Sequence, residues 1–112
     1  MLPRQPAKLL RLHVSEQDRY EGLPLHEAIA KVCLNLGIAG LTAFRGLEGY
    51  GESAALRRRR ALSHHQPILV TVVESGENIE RLLAQIEPML DTGVIAISDV
   101  ETIRIQNGAV QQ

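Results

Sequence analysis

Ala7 to Val14 is the first stretch with a regular pattern, Leu10, Leu12 and Val14 alternating with Leu9, Arg11 and His13. Period two marks a strand, because successive side chains leave on opposite faces. Ser15 to Pro24 breaks the pattern with turn formers and the charges of Glu16, Asp18, Arg19 and Glu21. Pro24 then suits the first turn of a helix, and Leu25, Ile29, Val32, Cys33 and Leu36 follow at helical spacing until Gly37, placed as a left-handed cap. Gly40 to Arg45 reads as a second strand. It runs into Gly46, Gly49 and Gly51 and then into Arg57-Arg58-Arg59-Arg60, with no periodicity to fold the stretch. Such long connections are uncommon in compact domains and are usually functional.

Beyond His64-His65, Pro67 opens the apolar, β-branched run Ile68 to Val73, the signature of a central strand. Ser75 is placed as an N-cap, and Ile79, Leu82, Leu83, Ile86, Met89 and Leu90 form the clearest amphipathic pattern in the chain. Pro88 is expected to kink or end its last turn. Asp91-Thr92-Gly93 reads as a turn, Val94 to Ile97 as a short apolar segment, and Val100 to Ile105 as a final strand with Ile103 and Ile105 inward. The order βαββαβ predicts the split βαβ, or ferredoxin-like, α+β sandwich: four antiparallel strands with two helices on one face. The domain is expected over residues 7–106, with 1–6 and 107–112 as flexible tails. Leu9, Leu69 and Val73 then fall on the helix-free face, an apolar surface that sister copies are expected to cover.

Composition narrows the function. The chain has 112 residues, enough for one domain with a modest core. Twelve Lys and Arg balance thirteen Asp and Glu, for a net charge of -1, so no global field draws it to nucleic acid or membrane. With one Phe, two Tyr and no Trp, there is little to build a base-stacking platform from. Cys33 is the only cysteine, which leaves no disulfide framework and fits a reducing, cytoplasmic setting. No apolar run approaches the roughly 18 residues of a membrane span.

These segments together resemble a known family. EQDRYEGLPLHEAI at 16–29, GIAGLTAFRGLEGYG at 37–51, PILVTVVES at 67–75 and ISDVETIRI at 97–105 are similar to the PII-like family catalogued as domain of unknown function 190. The resemblance implies a homotrimer like the PII signalling proteins, with sheets toward the threefold axis. It also implies a loop, here Leu47 to Gln66, that responds to a small anionic effector at the subunit cleft. An adenine nucleotide is the effector it suggests, and a membrane transporter or channel protein the partner. On that reading Arg45, Gly46, Gly49, Tyr50 and Gly51 form the loop base, with Tyr50 able to stack on a ring. Gly93 and Arg104 supply backbone donors and charge from this or a neighbouring subunit. Asp91-Thr92-Gly93 occupies the place of the phosphate-wrapping loop but lacks its fuller glycine and lysine character.

The individual motifs carry competing readings. Gly46, Gly49 and Gly51 can offer backbone N–H groups to an anion, or simply let a strand leave its sheet. Arg57, Arg58, Arg59 and Arg60 suit a protein partner or phosphate groups, or form a solvated loop. Arg11 on the helix-free face needs a partner if buried, and Glu101 or Glu74 is the expected one. His13 beside it reads as an interface histidine. His64 and His65, or the acidic residues Glu16, Asp18 and Glu21, offer an alternative metal-binding module, although neither has recognised ligand spacing, and a purely structural partner-binding trimer is the further alternative. Asp18 is expected instead to pair or cap ahead of the helix at Pro24. A nucleophile with a base, or two carboxylates in opposed environments, cannot be named, so an enzyme is the least favoured class.

Overall fold

A computed structural model describes residues 2–46 and 67–107. The elements are β1 (Gln5–Ser15), β2 (Arg19–Tyr20), β3 (Leu23–Pro24), α1 (Leu25–Asn35), β4 (Thr42–Arg45), β5 (Pro67–Glu74), α2 (Gly76–Ile86), a 3-10 turn (Glu87–Met89) and β6 (Ile95–Thr102). β1, β4, β5 and β6 form one antiparallel sheet in the order β4-β5-β1-β6, while β2 and β3 pair as a separate hairpin. This is the ferredoxin-like α+β topology that the hydrophobic pattern predicts.

Alternation along the strands builds the core. Leu10, Leu12 and Val14 of β1 face the same way as Ile68, Val70 and Val72 of β5, and all six are buried. Ile29 and Cys33 of α1 and Ile79, Leu82 and Ile86 of α2 close over them. Burying aliphatic area of this kind is the main favourable contribution to folding. With almost no aromatic residues, the core is filled mainly by branched aliphatic chains, with Cys33 among them.

Both helices end as local chemistry dictates. Gly37 takes φ 73. Its N–H donates to the Leu34 carbonyl, and the Ile38 N–H reaches back to the Cys33 carbonyl at 3.0 Å. The paired bonds make a Schellman cap, and Ile38 and Cys33 are both buried beneath it. At the start of α2 the Ser75 hydroxyl accepts from the Asn78 N–H at 3.2 Å. Pro88 ends the regular helix, and the chain tightens into the 3-10 turn at Glu87–Met89.

Two expectations need correction. The segment Ser15 to Pro24 contains a small hairpin, turned by Glu21 at φ 50 and Gly22 at φ 83. Two positive φ angles are what a tight primed turn requires, and the left-handed Glu21 gives no sign of itself in the sequence. The last strand runs Ile95–Thr102 rather than from Val100 to Ile105. Its pairing with β1 is used up once Thr102 meets Gln5. Ile103 and Ile105 therefore lie past the strand and are exposed rather than inward.

Candidate functional site

One end of the sheet gathers the chemistry. β4 finishes at Arg45 and β5 starts at Pro67, so the long connection enters and leaves there. The Gly46 N–H donates to the Pro67 carbonyl at 2.7 Å. A Cβ at Gly46 would stand 3.0 Å from Pro67 Cγ, so a larger residue here would crowd Pro67 across the neck of the loop. Ser15, the end of β1, pairs with Pro67.

The turn that leaves β1 is held almost entirely by itself. Ser15 is buried, and its N–H donates to Asp18 Oδ2 at 2.7 Å. The Ser15 carbonyl accepts from the Asp18 N–H at 3.0 Å, and its hydroxyl from the Gln17 N–H at 3.1 Å. The Asp18 carbonyl in turn accepts from the Leu25 N–H at 2.8 Å, which ties the turn to the first residue of α1. Asp18 thus sets up the helix, as its position ahead of Pro24 suggests. The same turn delivers Glu16 to Arg45, with 2.9 Å between Oε1 and Nη1. Twenty-nine positions separate these two residues, and nothing in their spacing announces the pair. The pair is partly solvated, so its value lies in holding the guanidinium at the neck of the loop rather than in stability.

Gly93 lies just before Ile95, which pairs with Leu12, so it stands at this same end of the sheet but on the opposite edge strand. Three inter-strand steps separate the two edges, roughly 14 Å. Gly93 is exposed with φ 145, a backbone conformation that other residues rarely adopt. Arg104 follows the far end of β6, where Thr102 meets Gln5. A single chain therefore brings Arg45 and Gly46 together, sets Gly93 across the sheet from them, and holds Arg104 at the other end. Gly49, Tyr50, Gly51, Arg57, Arg58, Arg59, Arg60, His64 and His65 lie outside the described residues.

Neither partner proposed for Arg11 serves it. Glu101 pairs with Arg4 at 3.3 Å. Glu74 accepts from the Ser75 N–H at 3.0 Å, the Ala39 N–H at 3.2 Å and the Asn78 amide at 3.3 Å. The reason is register. Glu74 stands opposite Lys8 and Glu101 opposite Pro6, on the face that carries Leu10, whereas Arg11 stands opposite Thr71 and Ala96 on the other. The donors around Glu74, the Ser75 N–H foremost, hold its carboxyl below the ordinary value, with a smaller contribution from the charge of Arg104.

Cys33 is buried in the core, and burial pushes its thiol pKa up, which makes it a poor nucleophile. Among the described residues no group of three or more His, Cys, Asp or Glu side chains is placed to hold a metal ion. No helix among them is long and apolar enough to cross a membrane. An open cavity of about 340 Å³ lies on the helix side of the sheet, lined by Tyr20, Leu23, Lys31, Val32 and Met89 among others. Sequence reasoning had no signal for it, because the hairpin and both helices must be placed before it exists.

Comparison with known proteins places the chain. The model of DUF190, described as an uncharacterized ACR, matches residues 7–102. The chain belongs to this family. A UPF0166 protein of Aquifex aeolicus is 33% identical over 98 residues, covering 86% of this chain and 92% of that protein. A UPF0166 protein of Methanocaldococcus jannaschii is 34% identical over 95 residues, covering 83% and 88%. Among solved structures, CPII of Thiomonas intermedia K12 bound to ADP and bicarbonate superposes with a TM-score of 0.71 at 19% identity, over 93% of this chain and 95% of that one. The apo form of that nitrogen regulatory PII-like protein gives a TM-score of 0.66 at 17% identity, over 94% and 100%. At these identities the likeness establishes a shared PII-like fold.

Proposed function

We propose that the protein is a PII-like regulator that binds an adenine nucleotide in clefts between the subunits of a homotrimer and signals to a protein partner. It works by binding and conformational response rather than by catalysis. The observation that carries this reading is the neck of the long connection, where Arg45 is held by Glu16 and Gly46 closes on Pro67, on a fold shared with a protein solved with ADP and bicarbonate. A guanidinium held in place at the neck of the loop suits a phosphate group, through charge-assisted hydrogen bonds.

The division of the remaining candidates fits a shared site. Arg45, Gly46 and Gly93 belong to one end of the sheet and Arg104 to the other, so a cleft that uses all four takes Arg104 from a neighbouring subunit. Gly49, Tyr50 and Gly51 complete the loop base, with Tyr50 stacking on the adenine. The segment 47–66, with its four arginines, contacts the partner, for which a membrane transporter or channel is the leading class in a cytoplasmic setting. Signalling requires that the nucleotide bind one arrangement of the loop better than another, since equal affinity shifts nothing.

Isothermal titration of the full chain with ADP, AMP and ATP tests this. Saturable binding at one site per chain is expected, and Arg45→Gln is expected to weaken it by about 10-fold or more, the effect of losing a charged hydrogen bond. Flat traces at millimolar concentration for all three nucleotides would contradict nucleotide sensing.

A further inference from the structure

Among the described residues, the helix-free face of the sheet carries a cation with no counter-charge. Arg11 sits in the middle of β1, a central strand, between Thr71 on β5 and Ala96 on β6. Its neighbours on that face are apolar or neutral, with Leu9, Phe44, Leu69 and Val73 around it and His13 two residues further on. The acidic residues of the four strands, Glu74, Asp99 and Glu101, all share the register of Lys8 and Pro6 and belong to the opposite face. Glu101 is engaged by Arg4, and Asp99 by Lys8. Among the described residues no carboxylate lies within ion-pair distance of Arg11.

Phe44 and Val73 are about half exposed on this face, at 53% and 45%, which leaves an apolar surface of the kind that a second copy of the chain can cover. When copies meet there, each brings another Arg11 and no acid from its own sheet face. A guanidinium taken out of water without a counter-charge strongly opposes assembly. We propose that Arg11 binds a small inorganic oxyanion, and that this anion is the counter-charge that allows the face to be buried. The inference rests on the trimer reading above. The planar fork of arginine matches two oxygens of such an anion. Thr71 stands beside it, and its hydroxyl reaches the Thr42 carbonyl only at 3.5 Å, so it is able to turn to the ligand. The site is separate from the loop neck at Arg45, which lies at the end of the sheet and in the opposite register, facing Ile68.

The test is thermal melting of the full chain in phosphate and in chloride at matched ionic strength, with mass measured by light scattering on the same samples. Phosphate is expected to raise the wild-type midpoint by several degrees, increasing with concentration. Arg11→Met is expected to lose that response while remaining assembled, because an apolar side chain of similar length needs no counter-ion there. Arg11→Lys keeps the charge without the fork and is expected to respond weakly, which covers the case in which the methionine variant fails to fold. In nucleotide titration Arg11→Met is expected to bind like the wild type, which separates this site from the loop neck. An assembled wild type whose melting ignores phosphate, or an Arg11→Met protein that responds like the wild type, would overturn the proposal in favour of a carboxylate from a sister copy. A single-chain mass would overturn the trimer reading itself, and light scattering reports that independently of the melting response.

Discussion

Glu74 shows how much one side chain can organise. It closes β5, yet its carboxylate gathers the N–H of Ser75 at the start of α2, the N–H of Ala39 after α1 and the amide of Asn78. These donors favour the charged form, so the folded-state pKa lies below the ordinary value of 4.5. A depressed carboxylate contributes stability above its unfolded pKa and loses it as pH falls through the folded one. Thermal melting from pH 7 to pH 3 should therefore show Glu74→Gln less stable than wild type near neutrality, with the gap closing below about pH 4.5. A gap that stays constant with pH would mean that the carboxylate charge does not matter. Opposite charge alone makes Glu74 an expected partner for Arg11. Register decided otherwise, and register between β1 and β5 cannot be read from either strand alone. The Glu16–Arg45 pair escaped notice for a related reason, since it depends on how a self-bonded turn at Ser15 to Asp18 aims one carboxylate.

Among the elements, those with strong local rules were legible. Ser75 was recognisable as an N-cap and Gly37 as a left-handed stop because each satisfies backbone groups that every helix end leaves open. Ser75→Ala should lower stability by about 1 kcal/mol in urea titration with an unchanged slope, and an effect near zero would show that the hydroxyl bond to Asn78 is not needed. The alternation in β1 and the β-branched run of β5 gave the central pair of strands for the same reason. The edges were harder. Val94 to Ile97 reads as a short apolar segment and Val100 to Ile105 as a separate strand, and only pairing with Gln5 to Leu12 shows that one strand spans their junction and stops before Ile103. The β2–β3 hairpin depends on a left-handed Glu21, a conformation that no short sequence rule assigns to glutamate.

At the scale of the molecule, the fold leaves one layer uncovered. Two helices bury Leu10, Leu12, Val70 and Val72, while Leu9, Leu69, Val73 and Phe44 occupy the other side of the same sheet. The site candidates divide in a related way, with Arg45 and Gly46 at one end of the sheet and Arg104 beyond the other, so the proposed nucleotide site is completed only by assembly. The two-faced pattern of the sheet was legible in the sequence, whereas a meeting of copies has a geometry that no single chain contains. Val73→Lys places a second positive charge beside Arg11 on the uncovered face without touching the core, and it should leave the circular dichroism spectrum unchanged while reducing the mass to a single chain. An assembled Val73→Lys protein would show that the copies meet elsewhere. For the native chain, the deciding measurement is the mass in solution by multi-angle light scattering at micromolar concentration. The account predicts three chains of 12.3 kDa, about 37 kDa, and a stable 12.3 kDa species would contradict it.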